Sequence, residues 1–126
     1  MKDIYIERTV KTPEVKFNAE SGEFLIQGIS IPENTVEFYH NIIYWLTEYS
    51  ASAQERTVLN LRLEYFNTST SVVLLNIFKM LSEIKNSKVV INWFYEDDDV
   101  EMEEVGKDYQ KMLNVEFNLV GVEAMG

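Results

Sequence analysis

The segment that most restricts the fold runs from Leu59 to Ile84, where a two-residue period gives way to a helical one. Leu59, Leu61, Leu63 and Tyr65 alternate with Asn60, Arg62 and Glu64, the pattern of a strand with one buried face. The period stops at Asn67, and four hydroxyl residues follow: Thr68, Ser69, Thr70 and Ser71. Leu74, Ile77, Phe78, Leu81 and Ile84 then recur at the spacing that buries one stripe of a helix. The hydroxyl run therefore falls where a buried strand hands over to a helix. Backbone N–H groups are unpaired there and the helix dipole is positive, which suits a capping oxygen or a phosphate.

The rest of the chain supplies the other layers. Ile4 and Ile6 mark a short strand that Thr12-Pro13 interrupts, since proline removes a ladder donor. Val15 and Phe17 begin a second strand, Glu20-Ser21-Gly22 reads as a hairpin turn, and Glu23–Ile29 is the return strand. Asn34 is placed to cap a helix reaching about Tyr49, with Phe38, Ile42, Trp45, Leu46 and Tyr49 along one side. Asn86-Ser87 ends the next helix, and Val89, Ile91, Trp93 and Tyr95 form one side of another strand. Residues 96–104 carry seven carboxylates and open a third helix ending near Leu113, before a strand through Val115, Phe117 and Leu119. Residues 122–126 read as a frayed tail.

The predicted order is β-β-β-α-β-α-β-α-β, a single α/β domain over residues 1–126. Strands alternating with helices require crossovers and a largely parallel sheet, joined here to an N-terminal hairpin in a mixed sheet. Asn60, Arg62, Glu64 and Asn92 would break the apolar runs of a sheet covered on both sides. The helices are therefore expected mainly on one face.

Composition excludes several functions. The chain has no cysteine, hence no disulfide and no thiolate metal site, which fits a reducing interior. A formal charge of −10 argues against nucleic acid, whose binding needs basic clusters, and against anionic lipid. MKDIYIERTV contains no apolar run of the kind a signal peptide or membrane span requires. A cytoplasmic domain is expected. His40 is the only histidine and reads as a surface residue; no triad, cysteine nucleophile or glycine-rich phosphate loop is visible, so neither catalysis nor a cofactor is expected.

Three features remain. In the hydroxyl run, Asn67 or Thr68 capping the helix explains one oxygen, and phosphorylation explains a cluster of them; one oxygen can do both. The acidic run 96–104 reads as a solvated helix start, with a divalent-cation site as the alternative and a surface for a basic partner as a third. Tyr39, Ile43 and Tyr44 sit off the stripe read as the core side of the first helix, leaving either wide burial or a partner-binding face.

Asn67-Thr68-Ser69, preceded by Leu61-Arg62-Leu63 and Tyr65 and followed by a helix containing Phe78, resembles the signature of the bacterial SiaC family. Pro32-Glu33-Asn34 and Trp93-Phe94-Tyr95 agree with it. The resemblance implies a STAS-like fold and a non-enzymatic partner switch. A serine/threonine kinase and a PP2C-type phosphatase set its state, and the unmodified form binds and activates a diguanylate cyclase, linking it to cyclic-di-GMP and biofilm regulation. It places the phosphoacceptor at Thr68, ahead of Ser69, Thr70 and Ser71, and the partner-binding surface at Tyr39, Tyr65, Asn67, Thr68 and Ser69. Two other assignments stay open: an anti-sigma-factor antagonist acting on a sigma-regulating kinase, and an acidic divalent-cation-binding protein.

Overall fold

The computed structural model describes residues 1–125 and has the expected order. β1 (Ile4–Ile6), β2 (Glu14–Asn18) and β3 (Glu23–Ser30) form an antiparallel meander. α1 (Thr35–Ser50), β4 (Arg56–Phe66), α2 (Thr68–Ser82), β5 (Lys88–Glu96), α3 (Val100–Met112) and β6 (Glu116–Val122) complete the chain. The six strands lie in sequential order, and β3, β4, β5 and β6 are mutually parallel. Each crossover therefore steps in the same direction. Because such connections are right-handed, all three helices are carried to one face. The order never reverses, so the fold lacks the switch point at which open α/β sheets usually bind small ligands.

The covered face is apolar throughout. Phe17, Phe24, Ile26, Leu59, Leu61, Leu63, Ile91, Trp93 and Phe117 are almost wholly buried against the helices. Gly106 of α3 permits close approach to β5, since a Cβ there would stand 2.5 Å from the Trp93 ring. On the other face, Asn60 and Arg62 are half-buried, as the alternation predicts. That face is finished by its own side chains: the Arg62 guanidinium lies 4.5 Å from the centre of the Phe94 ring. Asn118 Nδ2 donates to Asn92 Oδ1 at 3.0 Å, and Asn92 Nδ2 donates to Asn60 Oδ1 at 2.9 Å.

Two expectations need correction. Tyr65 does not continue the buried side of β4. Leu63 is paired with Gly28 but Tyr65 with Ile29, so Glu64 is an extra residue that shifts the phase. The bulge turns Tyr65 out to 59% exposure and lets Phe66 meet Trp93 edge-on. Glu64 is held by Arg8, whose side chain lies over Gly28, a residue whose φ of 114° favours glycine. The tail is also more ordered than expected. β6 extends to Val122, and the Met125 N–H donates to the Glu96 carboxylate at 3.0 Å; residue 126 lies outside the described residues.

Candidate functional site

Local chemistry fixes the start of α2. Asn67 is extended, with φ −87° and ψ 172°, and its Oδ1 accepts from the Thr70 N–H at 2.9 Å. Its carbonyl accepts the first helical bond, from Ser71 N–H, and its own N–H donates to the Ser30 carbonyl at the end of β3. Asn67 is therefore the cap, and Thr68 is the first helical residue rather than the capping one.

The four hydroxyls then diverge. Thr70 is fully buried; its Oγ1 donates to the Ser30 carbonyl at 3.1 Å and lies 2.9 Å from Ser30 Oγ. Ser69 Oγ is 2.6 Å from Thr35 Oγ1 at the start of α1, and 3.1 Å from Asn67 Oδ1. Ser71 Oγ donates to the Thr68 carbonyl at 2.6 Å. Thr68 alone is exposed with no hydrogen-bond partner for its hydroxyl among the described residues. Burial removes Thr70 from the candidate acceptors, since an enzyme cannot reach it in the folded state.

Tyr39 also requires correction. It is fully buried, with its hydroxyl 2.8 Å from Ser30 Oγ, so it offers a partner no surface. The core stripe of α1 runs through Ile42, Trp45, Leu46 and Tyr49 as the spacing predicts, but Phe38 is only half-buried and its place is taken by Tyr39. Burial pushes its phenol pKa up to about 12, partly offset by the Ser30 bond. Tyr39, Ser30, Thr70 and Asn67 thus form one hydrogen-bonded chain beneath the start of α2. Of the residues proposed for partner binding, Tyr65, Thr68 and Ser69 remain exposed and Asn67 half-buried, all at this corner.

Next to Thr68, α2 and α3 leave a cleft of about 410 Å³ whose lining includes Phe66, Val72, Leu75, Val105 and Met112. Tyr109 of α3 donates its hydroxyl to the Ser71 carbonyl at 2.7 Å, tying α3 to the first turn of α2. No sequence signal marked this cleft, because it forms between two helices with β5 between them in the chain; Val72 and Met112, off both core stripes, were the available hint. The acidic run is dispersed by the fold. Asp99 caps α3 by accepting from Met102 N–H at 3.0 Å, and Glu103 and Glu104 flank Lys107. No group of three histidine or carboxylate side chains converges to hold a metal among the described residues. No helix among them is long and apolar enough to cross a membrane.

This arrangement offers a positioned hydroxyl beside an apolar cleft, without a nucleophile–base pair. The crystal structure of apo-SiaC from Pseudomonas aeruginosa (28% identity, TM-score 0.86) shares the fold over 95% of this chain and 99% of that one. So does a complex described as the diguanylate cyclase SiaD with its activator SiaC, from the same organism, at 27% identity and TM-score 0.89, covering 95% and 100%. An uncharacterised protein of Pseudomonas aeruginosa strain UCBPP-PA14 is 29% identical over 119 residues, 93% of this chain and 94% of that one. A family model described as SiaC family regulatory phosphoprotein matches residues 6–122. The chain belongs to the SiaC family of regulatory phosphoproteins.

Proposed function

We propose that this chain is a cytoplasmic partner switch without catalysis of its own. Its unphosphorylated form binds and activates a diguanylate cyclase, and phosphate on Thr68 releases that target. A serine/threonine kinase adds the phosphate and a PP2C-type phosphatase removes it. The observation that carries the reading is the isolation of the Thr68 hydroxyl. It is exposed and unpartnered, while Ser69, Thr70 and Ser71 are engaged in hydrogen bonds within the fold. A phosphate there adds about −1.5 to −2 charges and a tightly held hydration shell beside Phe66 and Val72 at the rim of the cleft. The N–H groups of the first helical turn stabilise it locally.

The test is mass spectrometry after incubation with the cognate kinase, followed by capture of the cognate cyclase by both forms. Phosphate on Thr68 and capture by the unmodified form alone are expected. Phosphate confined to Ser69 or Ser71 would reassign the acceptor, and equal capture by both forms would end the switch reading.

A further inference from the structure

Two buried chains of hydroxyls link α1 to its neighbours, one at each end of β4. At the start of β4, Thr57 is fully buried, with its Oγ1 2.8 Å from the Tyr49 hydroxyl and 2.7 Å from Ser87 Oγ. At the far end Tyr39, Ser30 and Thr70 repeat that grouping, and all three are fully buried. There the direction of the bonds is fixed. The Thr70 hydroxyl donates to the Ser30 carbonyl, so Ser30 Oγ donates to Thr70 Oγ1 at 2.9 Å and receives the Tyr39 hydroxyl at 2.8 Å. The Ser30 carbonyl also accepts from the Asn67 N–H at 3.1 Å. One residue of β3 thereby grips α2 on both sides of Thr68, at Asn67 and at Thr70. Each bond polarises the next in a dry interior, so the chain holds more firmly than separate bonds would.

We propose that Ser30, Thr70 and Tyr39 are positioning residues for phosphoryl transfer to Thr68, holding its backbone where the kinase meets it. The proposal rests on the acceptor role of Thr68 put forward above. In that transfer Thr68 Oγ1 attacks the γ-phosphorus of a nucleoside triphosphate held by the kinase. The new O–P bond forms as the bond to the β-phosphate oxygen breaks, a nucleoside diphosphate leaves, and the hydroxyl proton passes to a base of the kinase. Attacking oxygen, phosphorus and leaving oxygen must lie roughly in line, with the reacting atoms about 3–3.5 Å apart. A threonine side chain turns about a single bond with few allowed positions, so Oγ1 goes where the backbone of Thr68 puts it. The Thr68 hydroxyl has no bond of its own to fix it among the described residues, so its alignment falls to the neighbours that hold the backbone. Ser30, Thr70 and Tyr39 are wholly buried and touch neither kinase nor nucleotide. Their contribution therefore belongs to turnover and not to affinity.

The test measures kcat and KM for phosphorylation of Thr68 by the cognate kinase, at a temperature where thermal melting shows each variant folded. Thr70→Val keeps the shape and removes the hydroxyl. Thr57→Val makes the same change in the other chain of hydroxyls, and both are expected to lower the melting temperature. Only Thr70→Val should lower kcat, by about tenfold or more with KM unchanged, since a misplacement of about 1 Å costs up to about a hundredfold. Thr70→Ser, which restores the oxygen, should return kcat toward that of the parent. Tyr39→Phe is milder, because Ser30 and Thr70 keep their bonds, and should lower kcat by about threefold. It carries the test if Thr70→Val does not fold. A parent-like kcat in Thr70→Val, or in Tyr39→Phe where that variant stands in, overturns the proposal and leaves Thr68 the acceptor. So does an equal loss in Thr57→Val, which would make the effect one of general stability, and so does a loss that Thr70→Ser fails to restore. A parent that carries no phosphate on Thr68 overturns the acceptor assignment and this inference with it.

Discussion

Two helices of this chain begin with the same dipeptide, Asn34-Thr35 after residues 31–33 that follow β3, and Asn67-Thr68 directly after β4. Both asparagines cap in the same manner. Asn34 Oδ1 accepts from Glu37 N–H at 3.0 Å, and Asn67 Oδ1 from Thr70 N–H at 2.9 Å. Both capping carbonyls receive the first helical bond, at 3.0 and 3.1 Å. The threonines nevertheless meet opposite fates. Thr35 is 8% exposed with its hydroxyl on Ser69, whereas Thr68 is open to solvent with its hydroxyl unpartnered. Local sequence places a threonine at the first helical position; the neighbouring helix decides whether an enzyme can use it. α1 turns its threonine toward α2, while the matching position of α2 looks into the cleft toward α3.

The sharpest way to break this comparison is to label both sites with the cognate kinase. Thr68→Ala should abolish phosphate incorporation and Thr35→Ala should leave it intact; the reverse pattern would mean that exposure does not choose the acceptor. A smaller effect comes from alkali, through the buried network in which Tyr39 of α1 meets Ser30 and, through it, Thr70 beneath the start of α2. Tyr39 has a folded pKa of about 12 against 10.0 unfolded, so the neutral form is favoured in the fold. Its contribution is complete below pH 10 and is lost as pH rises toward 12, by about 2–3 kcal/mol. Tyr39→Phe should flatten that loss in alkaline denaturant melts, and an unchanged slope would show that Tyr39 ionises freely. The caps come next. Asn34→Ala and Asn67→Ala should each cost about 0.5–2 kcal/mol by urea unfolding, with Asn67 the more expensive because Ser69 also uses its oxygen. A smaller loss at Asn67 would contradict the bonding described. The smallest effect should be the stability of Thr68→Ala, within about 0.5 kcal/mol of the parent, against about 1 kcal/mol for Thr35→Ala. A large loss at Thr68 would return it to a structural role.

Much of this was legible in the chain. The element order, the one-sided helices and the place of the hydroxyl run follow from periods of 2 and 3.6 and from asparagine at the caps. The misses arose where period counting runs on past a change of phase. Glu64 is one extra residue, which a pattern of alternating side chains cannot reveal, so Tyr65 was counted inward. In α1 the stripe through Ile42, Trp45, Leu46 and Tyr49 was legible, but at its first turn Phe38 and Tyr39 fit the spacing almost equally, and burial of the Tyr39 hydroxyl against Ser30 takes the second. Thr68, Ser69, Thr70 and Ser71 are equivalent as letters. They separate only when Ser30 of β3 engages Thr70 and Thr35 of α1 engages Ser69, while Ser71 turns back on the Thr68 carbonyl.

The asparagine ladder on the open face bears on how the strands find their places. A period of two tells β4, β5 and β6 which side faces the helices, but it is indifferent to slips of two residues, which preserve that side. Asn60, Asn92 and Asn118 lift this degeneracy, because each amide meets the next only in the native register. Moved by two, Asn92 would face Val58 or Arg62, and the half-buried Asn60 amide would lie against Val90 or Phe94. The three side chains thus act as a vernier on the parallel strands, reading an alignment that hydrophobicity leaves undetermined. Since β4 leads straight into α2, the mark that aligns the sheet also sets where Thr68 comes to rest.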